Sequence, residues 1–316
     1  MSAEGIAYVA LISKAVDRVA HLLEVTLGLA RTDVAVASTS RTVPVFAVGR
    51  SAVALFAPGD PFLEGEEKAG VHHVAFSTPD PERGGAQARS AGVPLLPGDA
   101  GQGLQNRKRL ALNPAATAGV RAYFTEPIEL RPSPSGKVER IDHIGIASAD
   151  NRAAIDIFCG KLGLVLESQQ TDMEVEIAVE SFTSDKYGAA YHTRPPRPAG
   201  GLRVAFITAG DCELEFLQNF DAAQGSFVDH ASAGTTRQDQ GAITRYIANR
   251  GAGLHHVALK VHDIDAVLTD LNQDGFVTID RVGRPGSRRA LIGFAQPKSL
   301  GGILIHFVQR DEFART

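Results

Sequence analysis

Cysteine is scarce. The 316 residues hold two, Cys159 and Cys212, and no CxxC pair. A disulfide framework is thereby excluded, and a reducing cytoplasm is the expected setting. Long apolar runs are missing as well. None approaches the ~18 residues of a membrane span, so no membrane partner is expected. The opening Met1–Val9 has no basic stretch followed by an apolar one, so no secretory signal is expected either. Basic residues are not in excess: 32 Lys and Arg face 36 Asp and Glu, for a net charge of −4. A nucleic-acid surface needs such an excess, so no nucleic-acid partner is expected. What is present is 44% hydrophobic and 22% charged. That is a globular composition, and the length suffices for two ordinary domains.

A repeat organises the chain. Four alternating apolar segments are each followed by a helical pattern: Ile6–Ile12 with Val16–Leu27, Val71–Phe76 with Pro81–Ala91, Ile141–Ala147 with Arg152–Leu162, and Leu254–Val261 with Ile264–Asp274. Each helical pattern stops at a glycine, namely Gly28, Gly92, Gly163 or Gly275. Glycine just past the last periodic residue ends a helix. Each unit closes on a further apolar strand, at Ala52–Ala57, Val120–Thr125, Glu213–Gln218 or Ile303–Gln309. The ends of the two halves also match, Leu112–Phe124 against Ala295–Phe307. The expected fold is therefore α+β, with four βαβββ units forming two paired-module domains of curved mixed sheets. The expected domains are 1–130 and 138–316, joined by the Pro- and Ser-rich linker 131–137.

Two stretches exceed the repeat. Gln169–Arg203 holds a strand pattern over Met173–Phe182 and then the proline-rich Tyr187–Gly201. Phe220–Arg250 holds a helical pattern at Ala242–Arg250. Long connections in compact domains serve as lids or binding loops, or are disordered.

Strand side chains alternate between faces. Ile144 and Ile146 then face their helix, while His143 and Gly145 face away. Val257 and Leu259 face their helix, and His256 faces away. Glu215 lies opposite Leu214 and Phe216, and His306 opposite Ile305 and Phe307. His143, Glu215, His256 and His306 thus share the concave face of the second half. Three imidazoles and a carboxylate suit a divalent ion among Zn, Ni, Co, Mn and Fe, with Zn first. A strand histidine taken singly is more often a satisfied core or surface residue. Recurrence at equivalent places in two units weighs against that reading here.

These residues resemble the vicinal oxygen chelate superfamily, which includes glyoxalase I, methylmalonyl-CoA epimerase and extradiol dioxygenases. The second half is most similar to methylmalonyl-CoA epimerase. The resemblance rests on Ile141–Ala147, Arg203–Leu217, Ile243–Ala258 and Phe294–Ile305, above all on Gly253-Leu-His-His256 and Pro297-Lys-Ser-Leu-Gly-Gly302. It implies metal ligands at His143, Glu215, His256 and position 306. The family carries a carboxylate at that last place, and this chain has His306. The first half has Tyr8, Ala54, His73 and Tyr123 at the matching places, a set that implies a domain without metal. The epimerases also carry a basic glutamate just before the Val-Ala-Phe strand. Here that region is Pro198–Leu202, with no acid.

The expected function is a metal-dependent isomerase, epimerase or related lyase. The metal acts as Lewis acid on a carbonyl of a small molecule, and a nearby group takes the adjacent proton. Candidate bases are Glu174, Glu176, Tyr187 and His192, each equally readable as part of a solvated strand or loop. Arg284, Arg288 and Arg289 are candidates for holding an anionic substrate, though a solvated turn explains them as well. One alternative is a non-haem iron dioxygenase of the extradiol or 4-hydroxyphenylpyruvate type, which shares the four-unit layout. Another is a small-molecule-binding protein without catalysis. Four units pair within one chain, so either a monomer or a homodimer fits.

Overall fold

The computed structural model describes residues 4–36, 40–134, 136–220 and 241–311, and at 98–100, 173–176, 197–200 and 220 the backbone alone. The first half runs β1 (Gly5–Ile12), α1 (Val16–His21, prolonged by wider turns over Leu22–Thr26), β2 (Arg31–Ala35), β3 (Thr42–Val48), β4 (Ser51–Phe56), β5 (Gly70–Ser77), α2 (Pro81–Ser90), β6 (Leu95–Gln102), β7 (Lys108–Leu112) and β8 (Ala122–Thr125). The second runs β9 (Val138–Ala147), α3 (Asn151–Ile155, prolonged over Asp156–Lys161), β10 (Val165–Glu176), β11 (Val179–Ser184), β12 (Gly188–Thr193), β13 (Arg197–Ala209) and β14 (Cys212–Phe220). It continues with α4 (Ala242–Arg250), β15 (Gly253–Val261), α5 (Ile264–Gln273), β16 (Arg284–Pro285), β17 (Leu291–Ala295) and β18 (Ile305–Gln309).

Two mixed sheets of eight strands result, in the orders β2-β3-β4-β1-β5-β8-β7-β6 and β10-β13-β14-β9-β15-β18-β17-β16. The orders correspond strand for strand. In each sheet the first strands of two units lie antiparallel at the centre, and each is parallel to the last strand of its own unit. The α+β architecture of four βαβββ units in two paired sheets is as the sequence leads one to expect. The glycines after α1, α2, α3 and α5 all hold positive φ, between 70° and 80°. Asp80, Asp150 and Asp263 cap α2, α3 and α5 by accepting from backbone N–H groups. These caps satisfy donors that the helix itself cannot. The helix-side faces of both sheets share one continuous core, holding Val9, Leu11 and Phe76 as well as Ile144, Val257 and Phe307.

The strand expected over 173–182 is instead two strands in different sheets. β10 follows β13 as far as the Glu176–Arg197 pair. Beyond it the chain leaves the main sheet and forms the two-stranded hairpin β11–β12. No third strand covers that hairpin among the described residues, and Phe182 and Tyr187 are exposed.

Glycines in every unit press against the other half. A Cβ on Gly49 would lie 2.7 Å from Arg140 Cβ, on Gly119 2.1 Å from the Ala252 oxygen, on Gly210 2.6 Å from Gly5 Cα, and on Gly301 2.4 Å from Ser13 Oγ. At Gly119 and Gly210 the obstacle is main chain, which cannot rotate away. Gly92 has a similar φ of +80° with nothing within 4 Å, so Gly92→Ala measures the cost of the backbone conformation alone, about 1 kcal/mol. Gly119→Ala adds the collision and is expected to lower the melting temperature at least twice as far. Equal shifts in thermal unfolding would mean that the crossing yields.

Candidate metal centre

His143, Glu215, His256 and His306 meet on the concave face of the second sheet. They come from β9, β14, β15 and β18, the four central strands. Register places them. His143 sits opposite Ala258, His256 opposite Gly145, Glu215 opposite Gly145 and His306 opposite Ala258. Gly145 is essential to the arrangement, because a Cβ there would lie 2.0 Å from the His256 ring. The His306 ring lies 4.8 Å from those of both His143 and His256, centroid to centroid. One ligand nitrogen from each ring lies within 4.8 Å of the others. Glu215 Oε2 is 3.2 Å from His143 Nε2 and 3.5 Å from His256 Nε2. These contacts are close enough for ion pairs but are not aligned as hydrogen bonds. His143 Nε2, His256 Nε2 and both nitrogens of His306 remain buried without a hydrogen-bond partner. Leaving a buried polar atom unpartnered costs about 1–3 kcal/mol. Several of them converging on a carboxylate is the donor set that a divalent ion would satisfy.

The electrostatics fit such an ion. Burial depresses His256 and His306 below the usual imidazole range, and the neighbouring imidazoles reinforce this. Their lone pairs are therefore free to ligate. Burial alone would raise the Glu215 carboxyl, but His143 and His256 hold it well below the usual range. Burial would lower His143, yet Glu215 and Asp142 outweigh it and push His143 up to about 9.

Two bulges supply a second layer. Between β9 and β15 the register skips Asp142, and it skips His255 as well. Each thus falls on the same side as the histidine that follows it. Asp142 accepts from His143 Nδ1 at 2.9 Å. It is itself held by Arg310 at 3.1 Å and Arg288 at 3.4 Å. His255 Nδ1 lies 3.0 Å from His256 Nδ1, and the Tyr246 ring packs edge-on to His255. Partners of this kind fix which nitrogen of a ligating histidine faces the ion. Strict alternation sends Asp142 and His255 to the helix side, so the sequence analysis missed them. The available signal was a pair of adjacent polar residues inside an otherwise apolar strand.

A cavity of about 350 Å³ opens over the four residues. Its wall is mainly apolar, with Phe206, Ile243, Ile292 and Phe294 among its side chains. Asp172, also missed, is 2% exposed. It pairs across the sheet with the cavity residue Leu202, and it accepts from Ser287 Oγ and Gln170 Nε2, both at 2.9 Å. Burial pushes its carboxyl up to about 6. Of the expected bases, Glu174 and Glu176 have side chains outside the described residues. Tyr187 and His192 belong to the exposed hairpin and do not line the cavity. Arg284 and Arg288 do line it, but both are engaged with acids. Arg284 pairs with Asp280, and Arg288 pairs with Glu213 and stacks 3.7 Å over the Phe206 ring. Arg289 does not line it.

In the first sheet the same register positions carry Tyr8, Ala54, His73 and Tyr123. All are buried, and Phe56 and Phe62 pack beside them. The place of the candidate ion is filled by an aromatic cluster.

Residues 142–294 match the family model described as the Glyoxalase/Bleomycin resistance protein/Dioxygenase superfamily. The match covers just under half of the chain and lies within the second sheet's half. Mouse mitochondrial methylmalonyl-CoA epimerase is 23% identical over 60% of this chain and 84% of its own length. The human enzyme is 24% identical over 41% of this chain and 64% of its own length. A mutant 4-hydroxymandelate synthase from Streptomyces coelicolor aligns over 100% of this chain and 95% of its own, with a TM-score of 0.61 and 14% identity. That alignment shows that the two-sheet fold is shared along the whole chain. Superfamily members bind divalent metals, and the three buried histidines here could hold one. No helix among the described residues is long and apolar enough to cross a membrane.

His143 supplies a pH test. Its value of about 9 lies above the ordinary imidazole value of 6.5. Protonation therefore stabilises the metal-free fold fully below about pH 6.5, and the contribution is lost as pH rises through about 9. The shift corresponds to on the order of 3 kcal/mol. Denaturant unfolding with a chelator present at pH 6 and pH 9.5 is expected to show that fall, and His143→Gln to abolish it. A fall of equal size in the variant would assign it to another group.

Proposed function

We propose that this chain is a metal-dependent isomerase or epimerase that moves a proton next to a carbonyl of a small molecule. The observation that carries this reading is the set of buried, unpartnered imidazole nitrogens converging with Glu215 at the floor of the cavity. His143, Glu215, His256 and His306 would hold one divalent ion, with zinc, nickel, cobalt, manganese and iron all compatible with the donors. When bound, such an ion polarises the carbonyl and favours its enolate form.

The chain's own residues supply the rest. Asp142 takes the Nδ1 proton of His143 in a hydrogen bond and so aims Nε2 at the centre. His255 orients His256 in the same way. Asp172 does not itself line the cavity; it acts as base in this reading through Ser287, which does, and whose hydroxyl donates to its Oδ2. A carboxylate pushed up to about 6 is matched to taking and returning a proton near neutral pH. The apolar wall excludes water and strengthens every charge interaction inside. Arg288, tied to Glu213 and Asp142, holds the protein's own carboxylates in place. The relatives named as epimerases support this class. The absence of an acid over Pro198–Leu202 speaks for a substrate other than theirs.

Elemental analysis of the purified protein is expected to give about one divalent ion per chain. His143→Ala and His256→Ala should abolish it, and Gly145→Ala should weaken retention without removing a ligand. Full metal content in both histidine variants would sink the assignment. Exchange of substrate C–H into heavy water, tested on a panel of thioesters and hydroxyketones, reads the chemistry. Asp172→Asn is expected to slow exchange on the order of 100-fold while keeping the metal. Oxygen uptake coupled to product would instead make the chain a dioxygenase.

A further inference from the structure

Where the two halves meet, a second cleft of about 440 Å³ opens between the first residues of β5 and of β15. Three cations, Lys68, Arg121 and Arg250, face it with one carboxylate, Glu66, leaving two positive charges in surplus. Arg121 pairs with Glu66 at 3.1 Å, and Arg250 donates to the Ala69 carbonyl at 2.7 Å. Lys68 Nζ has no ion-pair partner among the described residues.

His72 is the decisive side chain. It is 5% exposed and lines the cleft, and its Nε2 is buried without a partner among the described residues. Its Nδ1 lies 2.8 Å from His73 Nδ1, and His73 Nε2 lies 3.3 Å from the Tyr8 hydroxyl. This chain of contacts can run in two directions. In one, Tyr8 donates to His73, His73 donates to His72, and the proton of the neutral His72 ring remains on Nε2. An anion in the cleft selects that direction, because each bond then polarises the next.

We propose that this cleft binds an anion of the phosphate class, free or carried on a small molecule, among Lys68, Arg121, Arg250 and His72. Two surplus charges match a dianion, whereas a monocarboxylate leaves one cation unanswered. Two guanidinium groups offer the paired donors that phosphate oxygens accept. The cleft exceeds the size of one phosphate, and Val71, Pro114 and Leu254 give its remainder an apolar edge for an organic group. The site does not depend on the metal reading.

Calorimetric titration of the full chain with inorganic phosphate, and separately with glycerol 3-phosphate, tests it, with acetate as the monoanion control. Saturable binding at one site per chain is expected. Lys68→Gln and Arg121→Gln should each weaken it about tenfold, the loss of one charged hydrogen bond, and His143→Ala should leave it unchanged. Tighter binding of glycerol 3-phosphate points to a phosphorylated metabolite, and tighter binding of inorganic phosphate to the free ion. Acetate binding as well as phosphate, no saturation below about 10 mM, or binding lost in His143→Ala but kept in Lys68→Gln would each overturn the proposal.

Discussion

Four polar side chains are held out of water on the second sheet, and the ion pairs among them leave four imidazole nitrogens without a hydrogen bond. That constraint governs the half of the molecule around them. Burying imidazole nitrogens without hydrogen-bond partners is costly, so the sheet carries specific devices to keep them converging. Gly145 vacates the space that the His256 ring crosses. Two bulges bring Asp142 and His255 to the side where they can hold His143 and His256. Arg288 and Arg310 then neutralise Asp142. Each layer holds the one inside it in place.

The first sheet has the same register and a different solution. Tyr8, Ala54, His73 and Tyr123 occupy corresponding places, and its concave face closes as a hydrophobic cluster. Its His72–His73 pair repeats His255–His256, bulge included. In the second half the inner histidine faces Glu215 and two other imidazoles. In the first it faces two tyrosines, and its outer neighbour is left with a nitrogen toward the junction cleft. One backbone plan thus serves a polar centre in one half and a packed core in the other.

Much of this is legible in the sequence, for identifiable reasons. The strands, the helices and their glycine stops follow from periodicity repeated four times. The shared face of His143, Glu215, His256 and His306 follows from alternation, since each stands beside clear core residues such as Ile144 and Phe307. Bulges break that alternation, so Asp142 and His255 were hidden. Asp172 was hidden because its role comes from the partner strand and from Ser287, 115 residues away. The end of β10 was misread because the run Met173–Phe182 keeps strand character on both sides of the place where its neighbour stops.

The glycine crossings bear on how such a chain can diverge. At Gly119 and Gly210 the halves touch main chain to main chain. Their alignment at those points is set by atoms that every sequence possesses. The side chains around them can drift without sliding one sheet past the other, provided the glycines stay. A duplicated chain of this kind is free to let one concave face fill with aromatics while the other keeps its polar residues in place.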